Sequence, residues 1–206
     1  PKFLKAVENK VRQANALLIV DEVLTGFGRT GSLFAFNRAQ IKPDLISLSK
    51  GLTGGFLPMG ITMASKEIFE AFIGNNPNLT FWHGHSFTAN PLGCAAANAS
   101  LDLLEQNPNC YSNFESRHLP HLRSLTKNRK VIKPRLHGTI AAFNIAIDIP
   151  TGYLNNVGKS LKKYVLNKGV FLRPLGDVVY LLPPLCITDE ELAACYHAIE
   201  EGLKEL

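Results

Sequence analysis

The sequence has 206 residues, a formal net charge of +5 at pH 7, and a composition of 46% hydrophobic and 19% charged residues. These values are typical of a globular protein of one or two domains and argue against a disordered chain. No apolar run approaches the ~18 residues of a membrane span, and the first residues lack the apolar core of a secretion signal. The cationic residues are scattered, without a basic stripe or an aromatic platform. We therefore expect neither a membrane nor a nucleic acid as a partner.

The four cysteines give no sign of a metal or redox site. Cys94, Cys110, Cys186 and Cys195 lie far apart, without the CxxC spacing of zinc or thiol–disulfide motifs. Reduced thiols and the missing secretion signal together predict a cytoplasmic protein.

In the first half of the chain, hydrophobic patterning predicts helices alternating with short strands. The run Leu17–Val20 is too short for a helix and indicates a buried strand. A glycine-containing loop, LTGFGRTGSLFAF, follows it. Asn90 and Pro91 form a helix start, since an amide side chain caps the first turn and proline suits its first position. The predicted elements are a helix over 3–14, strands over 17–23, 45–49 and 61–64, a helix from Ser65 to Phe72, and a helix over 91–106.

The character of the sequence changes at about residue 106, where we place a domain boundary. A helix is expected over 111–126, although Pro120 should kink or end it. The alternation over 138–148 predicts a strand, and the pattern over 153–167 predicts a helix closed by Gly169. Two short strands, 170–173 and 178–182, precede the capping box of Thr188 and Glu191 and a final helix. This order predicts a small α/β layer.

A carboxylate and an amine end two neighbouring predicted strands. Asp21 ends the first strand, and Lys50 ends the strand over 45–49, immediately before the turn Gly51–Gly55. A buried carboxylate and a buried amine in this position suit pyridoxal phosphate. Its pyridine nitrogen needs an anionic partner, and its aldehyde condenses with a lysine. A strand-end Asp or Lys is also often a solvated terminus or a cap, so the spacing alone leaves both interpretations open.

The sequence around Asp21 and Lys50 resembles that of a known family. The stretches LLIVDEVLTGFGRTGSLFAFNRAQIKPDLISLSKGLTGGFLPMG and FWHGHSFTANPLGCAAANASLDLLE resemble the class III pyridoxal-phosphate-dependent aminotransferases, which have the α/β fold type I. The resemblance implies that residues 1–106 are the C-terminal part of the large cofactor-binding domain and 107–206 the small C-terminal domain. It also implies that an upstream half holds the glycine–serine turn for the phosphate and the aromatic side chain that stacks on the ring.

The resemblance implies roles for three residues around the cofactor. Lys50 would carry the cofactor covalently and, once displaced, move a proton from the substrate's alpha carbon, for which its amine must be partly neutral. Asp21 would bind the ring nitrogen, where its charge favours the protonated, electron-withdrawing ring. Val23 would lie on the same strand face as Asp21 and pack under the ring.

The segment His83–Ser86 has two histidines at i, i+2 and no neighbouring carboxylate, which is a weak metal signal, so we expect no metal. In the family that it resembles, this segment reaches across a homodimer. Ser86 would then bind the phosphate of the other subunit's cofactor, His85 would lie beside that phosphate, and the backbone of Gly84 would meet the substrate.

Arg173 lies in a largely apolar segment, FLRPLGDVVYLLPP, and is suited to binding a carboxylate through two hydrogen bonds. By resemblance it would hold the carboxylate of the keto acid substrate. Tyr180 could line the substrate tunnel or could simply pack in a hairpin. Arg29 and Thr30, in FGRTG, are expected to be structural.

Within the class, LTGG after Lys50 and LRPLG around Arg173 favour the biotin-pathway members. These transfer an amino group from S-adenosylmethionine, or in some relatives from lysine, to 8-amino-7-oxononanoate. The alternatives are ornithine, acetylornithine or omega-amino acid transaminases. A hypothesis of another kind is a folded but inactive fragment of such an enzyme.

Overall fold

The computed structural model describes residues 1–147 and 155–206, which divide into two compact units, Pro1–Pro108 and Asn109–Leu206. Each unit has its own three-stranded sheet. The boundary between the two units, after Pro108, lies two residues beyond the domain boundary that we predicted at about residue 106. The assignment of the units to parts of a large and a small domain stays a prediction. Residue 148 of one predicted strand and residues 153–154 of one predicted helix lie outside the described residues.

The first unit combines a mixed sheet with four α-helices. Strands β1 and β2 are parallel, and β3 pairs antiparallel with β2 on its other side. Two 3₁₀ helices, Lys50–Thr53 and Pro77–Leu79, lie in the loops. The elements in chain order are α1 (Lys2–Gln13), β1 (Ile19–Asp21), α2 (Ala35–Ala39), β2 (Leu45–Leu48), β3 (Ile61–Ala64), α3 (Lys66–Glu70) and α4 (Pro91–Gln106).

Local capping signals predicted the starts of α3 and α4 well. The bounds of β3 and α4 match the prediction, and Asn90 Oδ1 accepts a hydrogen bond from the Gly93 N–H at 2.7 Å. Ser65 caps α3 as expected, by accepting the Ile68 N–H. Each cap satisfies a backbone donor that the first helical turn leaves unpaired. The five-residue helix α2 lies in the stretch that we predicted to be a loop.

The prediction of a buried strand over 17–23 was wrong in length and in burial. The strand covers only Ile19–Asp21, and the side chains of Leu17 and Ile19 are 62% and 64% exposed. Leu18 is the buried member of the run, because it packs against Ala39 and Ile41. Since β1 is an edge strand with one packed side, its other side chains lie uncovered among the described residues.

The second unit packs three helices on an antiparallel sheet in the order β4–β5–β6. Its core contains fully buried aliphatic and aromatic side chains from both layers, such as Phe143, Leu161, Val179 and Ile199. The elements are α5 (Phe114–Leu125), β4 (Val131–His137), β5 (Ile140–Ile145), α6 (Val157–Asn167), β6 (Val178–Leu181) and α7 (Asp189–Lys204). The capping box of Thr188 and Glu191 and the positive φ of Gly169 are confirmed.

Three expectations for the second unit were wrong. Helix α5 continues through Pro120, because buried side chains on both sides of the proline, including His118 and Leu122, hold it in place. No strand forms over 170–173. The nearest pairing before β6 is an isolated bridge that joins Leu175 to Val178. Strand β4 escaped prediction because it is an exposed edge strand that lacks apolar alternation and is interrupted by a bulge around Pro134.

A buried histidine links three elements of the second unit. His118 on α5 is fully buried, with Nδ1 2.7 Å from the Tyr196 hydroxyl on α7 and Nε2 3.2 Å from the Thr139 carbonyl. Because a carbonyl only accepts, Nε2 carries the proton and Nδ1 accepts from the tyrosine, which a neutral ring satisfies. Burial lowers the pKa of His118 from 6.5 to about 4, and the nearby charges of Arg117 and His121 act in the same direction.

This neutral histidine predicts acid sensitivity. In the unfolded chain His118 binds a proton near pH 6.5, and in the folded unit only near pH 4, so its stabilising contribution is complete above pH 6.5 and is lost between these values. The full loss corresponds to about 3 kcal/mol. We expect the urea midpoint of unfolding, measured by circular dichroism, to fall as the pH is lowered from 7 to 4.5. The substitution His118→Gln should make this fall less steep. The control is His137→Gln, on an exposed strand residue. An unchanged slope in His118→Gln would contradict the prediction.

Candidate active site

Asp21 and the strand that leads to Lys50 meet at one edge of the first unit's sheet. The parallel register pairs Asp21 with Ser47, and the Glu22 N–H donates to the Ser47 carbonyl at 2.9 Å. Lys50 follows Ser47 by three residues. Because the carboxyl ends of parallel strands lie at the same edge, Asp21 at the end of β1 and Lys50, two residues after the end of β2, lie at the same edge of the sheet. The sequence predicted this edge, but Lys50 opens the 3₁₀ helix after β2 instead of ending the strand.

Lys50 has an unusual backbone conformation. Its φ is +43°, in the left-handed region that a non-glycine residue adopts at a cost of about 1–3 kcal/mol. The helix α4 supports this turn, since the Ser100 hydroxyl donates to the Gly51 carbonyl at 3.1 Å. A side chain at Gly51 would lie 2.9 Å from the Cβ of Phe27, so the turn packs closely on the loop after β1. These contacts hold the strained lysine in place.

The prediction that Asp21 and Lys50 are buried was wrong for this chain. Both residues are exposed among the described residues. The carboxylate is nevertheless oriented, since Asp21 Oδ1 accepts the Val23 N–H at 2.9 Å. A structural aspartate that only binds a loop amide would make the same contact.

Val23 does not lie on a strand. Strand β1 ends at Asp21, so the argument that strand alternation places both side chains on one face fails. Val23 is half-buried at the start of the following turn and contacts Asp21 through its backbone. Its packing against a ring stays a prediction.

Sequence reasoning missed Glu22, which is fully buried. One carboxylate oxygen accepts the Phe36 N–H at 2.8 Å, and the other accepts the Thr25 hydroxyl. Glu22 thereby holds both ends of the glycine-containing loop that follows Asp21. Two adjacent acids after a short apolar run could have signalled it, because neighbouring side chains of extended backbone point to opposite sides.

The FGRTG motif lies inside that loop and has structural contacts. Thr30 is buried, and its carbonyl accepts a hydrogen bond from Arg38. The Arg29 side chain is partly buried, which lowers the pKa of its guanidinium. These contacts agree with the structural role expected for Arg29 and Thr30.

The segment from His83 to Ser86 is an exposed loop. The His85 N–H donates to the Thr88 hydroxyl at 3.0 Å, and His85 Nδ1 accepts the Phe87 N–H at 3.2 Å. His83 and His85 line a groove of about 1080 Å³ together with Ser49, the residue before Lys50. A side chain at Gly84 would contact nothing within 4 Å in this chain, so no described neighbour requires glycine there. The roles of Gly84, His85 and Ser86 across a dimer stay predictions.

Within residues 1–147 and 155–206, no group of three His, Cys, Asp or Glu side chains could hold a metal ion. No helix in the same ranges is both long enough and apolar enough to cross a bilayer.

Arg173 lies in the second unit, just before the turn into β6. Its side chain is exposed between the buried Leu172 and Pro174. Tyr180, further along in β6, is half-buried and pairs with Ala142, which suits packing as well as it suits a tunnel wall. An exposed guanidinium on an anchored apolar segment can bind a carboxylate through two parallel hydrogen bonds.

The side chains at the sheet edge are chemically compatible with pyridoxal phosphate. Lys50 supplies a primary amine for the aldehyde, and Asp21 supplies an oriented carboxylate for the pyridine nitrogen. When bound, this cofactor provides an electron sink for a substrate carbanion. The donor set therefore fits the group that the sequence predicted.

The aminotransferase class-III family model matches residues 1–203. Among curated proteins, the adenosylmethionine-8-amino-7-oxononanoate aminotransferase of Synechococcus elongatus is 52% identical over the whole chain, which spans 48% of that protein. The protein of the same name from Geobacter sulfurreducens is 40% identical over 98% of the chain and 46% of its own length. The chain thus spans about half the length of the curated relatives it matches.

Solved structures agree with this assignment. The crystal structure of adenosylmethionine-8-amino-7-oxononanoate aminotransferase from Methanocaldococcus jannaschii superposes with a TM-score of 0.90 at 33% identity, covering 98% of this chain and 49% of that one. Acetylornithine aminotransferase from Elizabethkingia anophelis superposes with a TM-score of 0.85 at 29% identity, covering 99% and 52%. With a family match along nearly its whole length and this α/β fold, the chain belongs to the class III aminotransferases.

Proposed function

We propose that the full-length protein is a pyridoxal-phosphate-dependent aminotransferase that converts 8-amino-7-oxononanoate to 7,8-diaminononanoate, a step of biotin synthesis. The amino donor would be S-adenosylmethionine. The observation that carries the proposal is the 52% identity, along the entire chain, with a relative whose name states this donor and this acceptor. The strand-end pair of Lys50 and Asp21 supports the chemistry.

In the proposed reaction Lys50 has two tasks. It would hold the cofactor through Nζ, and its free amine would take the proton from the substrate's alpha carbon. Its position at the start of a supported turn would keep the amine near that carbon, and a positioned general base typically contributes about 10²- to 10⁴-fold. Asp21 would hold a negative charge against the ring nitrogen, and its contact with the Val23 N–H would orient that charge.

Arg173 would hold the carboxylate of the keto acid, which sets the direction in which the chain of the substrate extends. Binding by two parallel hydrogen bonds orients the acid as well as attracting it. Gly84, His85 and Ser86 would serve the other subunit's cofactor and substrate in a homodimer.

The homodimer is part of the proposal. In this chain the aromatic side chains around the His83–Ser86 loop are uncovered, with Phe81 67% and Trp82 83% exposed. Monomeric proteins rarely expose large apolar patches, which supports an interface in this region. The free state of the four cysteines is compatible with the cytoplasmic location that we propose.

The alternative is another transaminase of the class, since acetylornithine aminotransferase has the same fold. We expect the full-length protein to form 7,8-diaminononanoate from 8-amino-7-oxononanoate with S-adenosylmethionine. With that acceptor, lysine, ornithine or acetylornithine as donor should give at most a small fraction of this rate. Product would be measured by mass spectrometry, with the cofactor-free protein as control. Faster turnover of ornithine or acetylornithine with a common keto acid would refute the proposed substrates. If lysine were the better donor, only the assignment of S-adenosylmethionine as the donor would be refuted.

The hypothesis of an inactive fragment applies to the 206-residue chain by itself. Each charge-assisted hydrogen bond missing from a phosphate site costs roughly 1.5–3 kcal/mol of cofactor binding. Comparing cofactor affinity of the 206-residue chain with that of the full-length protein tests this hypothesis directly.

A further inference from the structure

The turn that follows Arg173 is short and held at both ends. On one side Leu172 is buried in the core of the second unit. On the other, the Leu175 N–H donates to the Val178 carbonyl at 2.8 Å, and the Val178 N–H donates back at 3.0 Å. Gly176 takes a φ of +62° inside this turn. Only two residues, Arg173 and Pro174, separate the anchored Leu172 from the closed turn, and proline fixes one backbone angle.

Helix α6 touches this turn through a glycine. The Gly158 N–H, in the first turn of α6, donates to the Gly176 carbonyl at 3.1 Å. A Cβ at Gly158 would lie 2.3 Å from that carbonyl oxygen and 2.6 Å from the Cβ of Pro174. Any side chain at position 158 would therefore push the turn away from the helix.

A buried carboxylate holds the same turn from the sheet side. Asp177 is 1% exposed, and its Oδ2 accepts from Asn144 Nδ2 at 2.7 Å. Its Oδ1 accepts from Asn155 Nδ2 at 3.2 Å, and its backbone carbonyl accepts the Ile145 N–H at 2.8 Å. Asn144 is held in turn by Arg135 at 2.7 Å. A buried carboxylate that accepts several hydrogen bonds holds the surrounding backbone in place, because moving it would leave a buried polar group without partners.

We propose that Gly158 and Asp177 are positioning residues for Arg173, which hold the 174–177 turn so that the guanidinium is presented to the carboxylate of the acceptor substrate. This inference rests on the proposed function. A side chain held in its bound arrangement loses less freedom when it binds, so the two residues act on carboxylate recognition rather than on the chemical step.

The test compares an acid with its uncharged analogue in the full-length protein. The readout is kcat/KM for 8-amino-7-oxononanoate divided by kcat/KM for its methyl ester. Arg173→Gln is expected to lower this ratio by about 10- to 100-fold, as for loss of a charge-assisted pair. Gly158→Ala should lower it by about 5- to 10-fold and Asp177→Asn by a few-fold, through KM with kcat nearly unchanged. General damage to the fold would lower both values together and leave the ratio intact.

Gly169→Ala is the matched control. Gly169 follows the other end of α6 with a φ of +81°, and an added Cβ there contacts nothing within 4 Å. The substitution strains the same helix without touching the turn, so the ratio should not change. Asp177→Asn keeps the test decisive if Gly158→Ala does not fold. Binding of nonanoate against nonanamide, by calorimetry, gives the same comparison without turnover.

The outcomes separate the two proposals. If Arg173→Gln lowers the acid preference while Gly158→Ala and Asp177→Asn leave it unchanged, the positioning role is overturned and the function stands. An acid preference that survives Arg173→Gln overturns both the positioning role and the assignment of Arg173. If the protein does not turn over this keto acid but binds nonanoate with an acid preference that all three variants reduce, the proposed function fails and the positioning role stands.

Discussion

Replacing Lys50 with alanine in the full-length protein is expected to lower transamination by at least about 10²- to 10⁴-fold, the contribution of a positioned general acid–base group. The loss also removes the covalent anchor of the cofactor. Turnover of S-adenosylmethionine and 8-amino-7-oxononanoate measures the effect. Reduction with borohydride in the presence of pyridoxal phosphate should label Lys50 in the parent protein, located by peptide mass, and should leave the corresponding peptide of the variant unlabelled.

Two further variants separate catalysis from folding. Lys50→Gly should be as inactive as Lys50→Ala and close to the parent in thermal stability. Glycine removes the strain at φ +43°, which stabilises the folded state. Its greater conformational freedom stabilises the unfolded chain by a comparable free energy, so the two effects nearly cancel. Lys66→Ala is the control, since that side chain is 86% exposed on α3. Substantial activity in Lys50→Ala, or a label spread evenly over surface lysines, would exclude Lys50 as the catalytic lysine.

Replacing Asp21 with asparagine is expected to reduce kcat by about 10- to 10³-fold. An opposite charge nearby shifts the protonation equilibrium of a group by about one to three pH units, and the amide removes that charge from the ring nitrogen. Asparagine keeps an oxygen that can accept the Val23 N–H, so the loop after β1 should keep its conformation. Steady-state kinetics gives the rate, and absorbance of the bound cofactor against pH reports the protonation of the ring.

The control for Asp21 is Asp102→Asn, an exposed carboxylate on α4 in the same unit. Its rate and spectrum should match those of the parent protein. If Asp21→Asn kept the parent rate, Asp21 would be a structural residue that binds a loop amide, and the ring nitrogen would need another partner.

The sequence predicted the placement of Asp21 and Lys50 at one sheet edge better than it predicted their burial. The two residues stood out because each follows a short apolar run, and the parallel pairing of Asp21 with Ser47 brings the ends of β1 and β2 to the same edge. Their exposure was not predictable from apolar neighbours alone, because burial depends on which elements cover a sheet edge. The same limit explains Leu17 and Ile19, which are apolar but uncovered in this chain.

Local sequence signals thus predicted some features of this protein, and contacts between residues distant in sequence decided the others. The sequence by itself determined the family, the bounds of α4 and β3, and the caps at Asn90, Ser65 and Thr188, because caps and periodicity involve residues within one or two turns. Only the tertiary structure revealed the passage of α5 through Pro120, the edge strand β4, and the buried Glu22, His118 and Asp177. Each of these depends on partners distant in sequence, such as Tyr196 for His118, whose packing and hydrogen bonds outweigh local preference.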